Sequence, residues 1–299
     1  MAVNLASFKR LRAIPLGFAP GKLFVRPHSR ELVAAGKDGT LAVISLPQMK
    51  VTRTVGASPG STEVIFSPDG SRAYVQGGGK ILVYDCARWT LLRAVSFDAP
   101  LARIALALDG RILLAEDAAR SRLDFVATAD GGFLGSVVLG KDPGPMVVVR
   151  SKVFIANPVE DTVTAIDIPA REVLSQIETA GAPTALALKP DGGELFALSA
   201  PASTMTIIDT LHDSVEQSVP AGTAPAAAVF TSDSGTLYVA NSGDGTVAAL
   251  DVATRKITAS IRVGVQPDTL ALTPDERFLV AADRAAGSLA IMRARPLTL

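Results

Sequence analysis

The chain is poor in the residues that carry most metal and nucleophile chemistry. Its 299 residues include one cysteine and two histidines. Zinc and other transition-metal sites draw on clustered His, Cys and carboxylate ligands, so no metal or other cofactor is expected. The lone Cys86 cannot close an intramolecular disulfide and says nothing about redox compartment. Aromatic residues are few, with one Trp, three Tyr and eleven Phe, which argues against stacking of sugars or single-stranded bases. No charge sign dominates: Lys and Arg total 29, as do Asp and Glu. A strongly basic nucleic-acid face is therefore not expected. No stretch approaches the roughly 18 apolar residues of a membrane span, so no transmembrane segment is expected. The opening MAVNLASFKRLRAI lacks the apolar centre of a signal peptide. The expected location is cytoplasmic if the sequence is complete, and periplasmic or cell-surface if a leader has been removed. The expected state is a monomer.

What the chain does have is a repeated sheet. Between Gly222 and Val263 lie four short apolar runs, PAAAVF, TLYVAN, TVAALDV and ITASIRV. TSDSG separates the first two, and its Ser, Asp and Gly suit a tight turn. SGDG separates the second and third, where the Asp244 and Gly245 pair favours a type I′ hairpin. In the last run Ile257, Ala259, Ile261 and Val263 alternate with polar residues. Polarity rises from the first run to the last, which predicts a central first strand and a last strand at the rim. One such unit has no second layer to bury its side chains against and must stack on copies of itself.

Copies are present. The turn after the first strand recurs at Pro27, Pro68, Leu108, Pro190, Ser232 and Pro274, in steps of 41, 40, 82, 42 and 42 residues. The step of 82 spans two periods, and the missing turn falls at a shortened hairpin near Arg150 and Ser151. An Asp closes the third strand at Asp85, Asp167, Asp209 and Asp251, placed to bond the backbone of the following turn. Seven units of four strands at this period predict an all-β, seven-bladed β-propeller with four-stranded antiparallel blades, one domain over residues 1–299. The last unit lacks a fourth run, and residues 5–17 align with residues 252–264 without a gap. The N-terminal segment is therefore expected to join the last blade, pairing beside Ser288–Met292 and hiding its edge.

TLYVAN at residues 236–241, the PDGxxLYV-like hairpins and the DGTVxxxD third strand resemble the YVTN family of β-propeller repeats. The resemblance runs along the whole chain. It implies a repeat scaffold, common on bacterial and archaeal surfaces and in the periplasm, with some relatives resembling lactonases. It brings no catalytic motif. The third unit departs from the pattern, with Glu116 and Asp117 where other units have Ala-Asn or Ala-Gly, and no Asp closing its third strand.

In a repeat array the shared residues build the blade, so function is sought in the departures. Propellers usually meet ligands on the face carrying the loops into the first strands and the second-to-third-strand turns. That face offers Lys22, Glu63, Arg103, Asp142 and Asp268 near the channel mouth, and Glu116, Asp117, Arg120 and Arg122 in the turn of the third unit. Two readings of that turn stay open: a solvated loop whose charges pair with each other, or an edge where Arg bonds a carboxylate or other anion bidentately. The leading functional reading is a non-catalytic scaffold binding a protein partner or small polar ligand. The alternative is a lactonase-like hydrolase or lyase using Glu63, Asp98, Asp142 and Asp268. His28 and His212 are expected in exposed turns on the opposite face, and Cys86 as a small apolar strand residue. The glycines at 77–79 are read as a hairpin, because the spacing of a phosphate-binding loop is missing.

Overall fold

The computed structural model describes residues 2–4, 9–12, 14–18, 20–36, 38–48, 50–57, 63–272, 276, 278–283, 285 and 288–294. Its strands form six four-stranded antiparallel sheets, one three-stranded sheet and a two-stranded sheet. The first sheet comprises Pro20–Val25, Glu31–Gly36, Thr40–Ser45 and Lys50–Gly56. The others follow in chain order with the same up-and-down topology, which fits seven blades. Contacts divide the chain into two compact units, residues 1–136 and 137–299.

The turn periodicity is realised in backbone geometry. Arg150 and Ser151 make a two-residue hairpin between Met146–Val149 and Lys152–Asn157, as the shortened unit predicts. Gly78 and Gly79 link Arg72–Gly77 to Lys80–Asp85, a hairpin and not a phosphate cradle. The recurrent Asp residues hold the next turn. Asp85 Oδ1 accepts from Arg88 N at 2.9 Å, Asp167 Oδ1 from Ala170 N at 2.6 Å, and Asp251 Oδ1 from Thr254 N at 2.8 Å. Each bond satisfies a turn N–H that no strand partner reaches.

Second and third strands are buried on both faces, so their side chains are apolar without alternation. In the first unit Ala73 and Val75 pack with Val33, Ala35, Leu41 and Val43 of the first sheet. From the opposite face of the same second sheet, Tyr74, Ile81 and Val83 pack with Leu113, Ala115 and Val126 of the third. The second unit repeats this: Phe154, Val163 and Ala165 meet Leu195, Ala197 and Ile208, and Phe196, Leu198 and Met205 meet Leu237, Val239 and Leu250. Each buried large side chain contributes roughly 1.5–3 kcal/mol. Within each unit, first strands lie beside first strands, which puts them innermost. The last strand Lys256–Arg262 is exposed at every residue, so its apolar alternation marks no buried face.

Polar side chains join successive sheets. The first residue of a second strand reaches the third-to-fourth-strand turn of the next sheet. Arg72 donates to Thr128 O at 3.3 Å, and Lys152 Nζ donates to Thr210 O, Leu211 O and both Asp213 oxygens at 2.7–3.1 Å. Glu194 pairs with Arg255 in the same way, and the Arg255 guanidinium lies 5.4 Å above the Phe196 ring. The loop into each first strand is seated differently. Gly222 has φ 103°, and a Cβ there would collide with the Asn241 side chain. Asp283 accepts from Val265 N and from Gln266 N, the latter at 3.1 Å.

The N-terminal expectation is not met among the described residues. Ala2–Asn4 and Lys9–Arg12 pair with each other as a separate antiparallel hairpin. The seventh sheet has three strands, Pro267–Leu272, Phe278–Asp283 and Ser288–Arg293. Residues 5–8 and 13 lie outside the described ones. The hairpin meets its backbone hydrogen-bonding need locally, and Ile14, Leu16 and Phe18 then pack on Ala34, Ala42 and Ile44 of the first sheet.

Candidate functional site

The third sheet comprises Arg103–Ala107, Ile112–Asp117, Arg122–Ala127 and Phe133–Val138, and its second strand ends in two charged residues, Glu116 and Asp117, where those of the fourth and sixth sheets end in Ala-Asn. Its second strand runs six residues, as in every other sheet, so Glu116 and Asp117 are its last two members and not part of an exposed turn. That corrects the sequence placement. The turn itself is a single 3-10 turn, Ala118–Arg120, and Arg122 already begins the third strand.

Register decides which charges share a face. Arg103 lies opposite Glu116, Asp117 opposite Arg122, and Asp124 opposite Ala115. Residues directly opposite in an antiparallel pair point the same way. Arg103 and Glu116 therefore occupy one face, and Asp117, Arg122 and Asp124 the other.

Three acid–arginine pairs result. Arg103 Nη1 is 2.7 Å from Glu116 Oε1, with the acid side chain 0% exposed and the base 41%. Arg120 Nη1 is 2.9 Å from Asp117 Oδ2, with exposures of 44% for the base and 2% for the acid. Asp117 Oδ1 also accepts from Arg120 N at 3.1 Å and so caps the 3-10 turn. Arg122 Nη2 donates to Asp124 Oδ2 at 2.9 Å. Its Nε is 2.7 Å from Asp124 Oδ1, close enough for an ion pair but too far off line for a second hydrogen bond.

Burial sets the electrostatics. It pushes the Glu116 carboxyl up to about 7, with Arg103 pulling in the opposite direction. It also raises Asp124, against Arg122. A buried carboxylate survives only with a cation and hydrogen bonds close by. The acids therefore anchor the arginines, and the outer parts of the guanidinium groups stay in solvent. Glu116 Oε2 is buried and has no hydrogen-bond partner.

The remaining candidates lie on other sheets. Lys22 is on the first strand of the first sheet, and its side chain lies outside the described residues. Glu63 opens the first strand of the second sheet opposite Gln76, whose buried amide donates to Leu101 O. Asp142 is exposed in a bend at φ 48°. Asp268 lines an open cleft of about 420 Å³ with Ala226, Ser242, Gln266 and Ala285. Asp98 is exposed in the loop into the third sheet. Among the described residues no three His, Cys, Asp or Glu side chains stand close enough to hold a metal ion. His28 and His212 are exposed in turns, and His212 Nδ1 lies 2.7 Å from Asp209 Oδ2. Cys86 is buried, and burial pushes its thiol up to about 11.

Sequence reasoning missed Asp124. It stands inside an apolar strand, where the equivalent residues of other sheets are Ala42, Leu82, Thr164, Thr206 and Ala248. One acid among apolar and small residues at a fixed repeat position was the available signal.

The family model of a YNCE-like beta-propeller matches residues 210–297. The hydrazine synthase of Kuenenia stuttgartiensis is similar in structure, with a TM-score of 0.68 and 16% identity over 92% of this chain and 95% of that one. The Cps50 (Swd1) beta-propeller domain of Myceliophteria thermophila has a TM-score of 0.71 and 15% identity over 95% of this chain and 99% of that one. No curated protein matches. The fold is a β-propeller. With 1773 solved chains sharing the likeness, it leaves function to be argued from the site. Among the described residues no helix is long and apolar enough to cross a membrane.

Proposed function

We propose that the protein is a non-catalytic, seven-bladed propeller of the YVTN type that binds an acidic protein segment through the third sheet. The observation that carries this is the pair of partly exposed arginines Arg120 and Arg122, each oriented by an acid 2% exposed. A guanidinium fixed by one carboxylate keeps donors for a second, and fixing it beforehand lowers the entropy cost of binding. The acids of this site are engaged in holding arginines, which suits recognition better than general acid–base work.

Titrating the protein with a hexa-aspartate peptide, while following the arginine side-chain NMR signals, tests the proposal. Selective shifts of Arg120 and Arg122 at low salt support it. Uniform small shifts across all surface arginines would reject it.

A further inference from the structure

Among the described residues, the fourth strand of each four-stranded sheet is an edge, paired on one side only. Such an edge offers a row of free N–H and C=O groups to any other strand, and proteins blunt it with charge or proline. Five of the six sheets do so. Lys50–Gly56 and Thr90–Ser96 carry Arg53 and Arg93 at their middle positions. Glu172–Glu178 and Lys256–Arg262 carry like charges at both ends. In antiparallel pairing of a strand with its own copy, the middle residue meets itself and the first meets the last. All four strands would then set like charges opposite each other, which is destabilising. Ser214–Pro220 carries Glu216 and ends in a proline, which has no N–H to give.

The fourth strand of the third sheet, Phe133–Val138, has neither device. Its sequence, FLGSVV, contains no charge and no proline. Phe133 is 63% exposed, the one aromatic among the large exposed apolar side chains of the described residues, and Leu134 beside it is also exposed. Gly135, at φ 140°, is the one glycine inside any of these six edge strands. It leaves no side chain between this backbone and another that approaches it.

We infer that Phe133–Val138 is the edge through which two copies of this chain pair, antiparallel and side by side. Charge selects the occupant, since this is the one edge of the six that meets its own copy without a charge or a proline in the way. Full-length pairing sets Gly135 opposite Ser136 at the two-fold axis, Leu134 opposite Val137, and Phe133 opposite Val138. The smallest residues meet at the axis and apolar ones flank it. A strand paired with itself makes an isologous contact, so assembly stops at two. One strand edge is small beside the roughly 1,200–2,000 Å² of a standard interface, so the dimer is weak and depends on concentration. The pairing uses none of the arginine–acid pairs and does not depend on binding of an acidic segment.

Sedimentation velocity of the whole protein at rising concentration, up to about 0.5 mM, tests this. The wild type should shift from monomer to dimer and no further. Ser136 is exposed, so a charge there leaves the sheet intact. Ser136→Lys and Ser136→Glu each bring two like charges together beside the axis, and each should weaken the dimer more than about tenfold with little change in melting temperature. An equimolar mixture of the two variants should dimerise again. Gln217→Lys, on the edge strand of the fifth sheet, should dimerise as the wild type does. Hydrogen exchange of the wild type gives a reading that needs no variant: protection at 133–138 should rise with concentration, and at no other edge strand. A wild type that stays monomeric throughout would overturn the inference. So would a dimer that survives both Ser136 variants, a mixture that fails to restore it, or growth into larger species.

Discussion

Arg103 and Glu116 face each other across the first two strands of the third sheet, 2.7 Å apart, with the acid wholly buried and the base open to water. The pair straddles the boundary between protein interior and solvent, and its two members respond differently to pH. Burial raises the folded-state pKa of Glu116 to about 7, above the ordinary value of 4.5. Between those two values the folded chain holds a proton that the unfolded chain has released.

The stability contribution of Glu116 is therefore fully present below pH 4.5 and is lost as pH rises through 7. Urea unfolding of wild type and Glu116→Gln at pH 4.5 and pH 8 checks this. The Gln variant should gain on the order of 3 kcal/mol relative to wild type between the two pH values. Comparing the two proteins cancels the opposite trend from Asp69 and Asp191, whose pKa values are lowered by hydrogen bonds. An unchanged difference across the range would mean that Glu116 stays ionised.

The Lys152–Asp213 contact gives a second prediction. Lys152 Nζ is held by two carbonyls and both Asp213 oxygens, so it locks the fourth sheet to the fifth. Asp213→Ala leaves a largely enclosed ammonium without its counter-charge and should cost about 2–3 kcal/mol. Lys152→Met with Asp213→Ala together should cost less than the single change, because no unpaired charge remains. Thermal unfolding of the three variants measures the difference. Equal loss in the single and double variants would reduce the contact to surface ornament.

Legibility in the sequence followed from how local the determinant was. Turns and hairpins were readable because Pro, Asp and Gly act within two or three residues, as Asp85 and Asp251 do. The burial of Glu116 and Asp117 was not, because a turn reading based on charge overrode the six-residue strand length. Comparison with KVFIAN and TLYVAN, whose last residues Asn157 and Asn241 are buried, corrects it. The N-terminal segment matched a fourth strand residue by residue, yet similarity of pattern does not choose a pairing partner. The short hairpin Ala2–Arg12 is the more local alternative. Asp124 pairs with an arginine on its own strand, which no spacing in the repeat anticipates.

Cys86 should be inert in the folded chain. It is buried, and its thiol is raised to about 11 by burial, so almost no thiolate exists near neutral pH. An aromatic disulfide reagent at pH 8 should label it only after denaturation. Labelling of the native protein within minutes would contradict the burial.

The arginine edge gives the last prediction. Truncating arginines alone confounds binding with folding, since each Arg→Ala leaves a buried carboxylate behind. Neutralising whole pairs separates the two. Arg120→Gln with Asp117→Asn keeps an oxygen to accept from the turn N–H, and Arg122→Gln with Asp124→Asn removes both charges from the same face. Each pair replacement conserves net charge, so nonspecific attraction of an acidic ligand is unchanged. Stability should move by less than about 1–2 kcal/mol for each pair, because buried ion pairs contribute little net when both members go. Affinity for hexa-aspartate at low salt should fall more than about tenfold when both pairs are replaced, as two charge-assisted bidentate partners are lost. The contrast with Arg→Lys matters too. Arg122→Lys retains the charge but loses the planar fork, so it should weaken binding nearly as much as the pair replacement. If affinity instead tracks net charge and survives the pair replacements, Arg120 and Arg122 serve only to neutralise the acids beneath them.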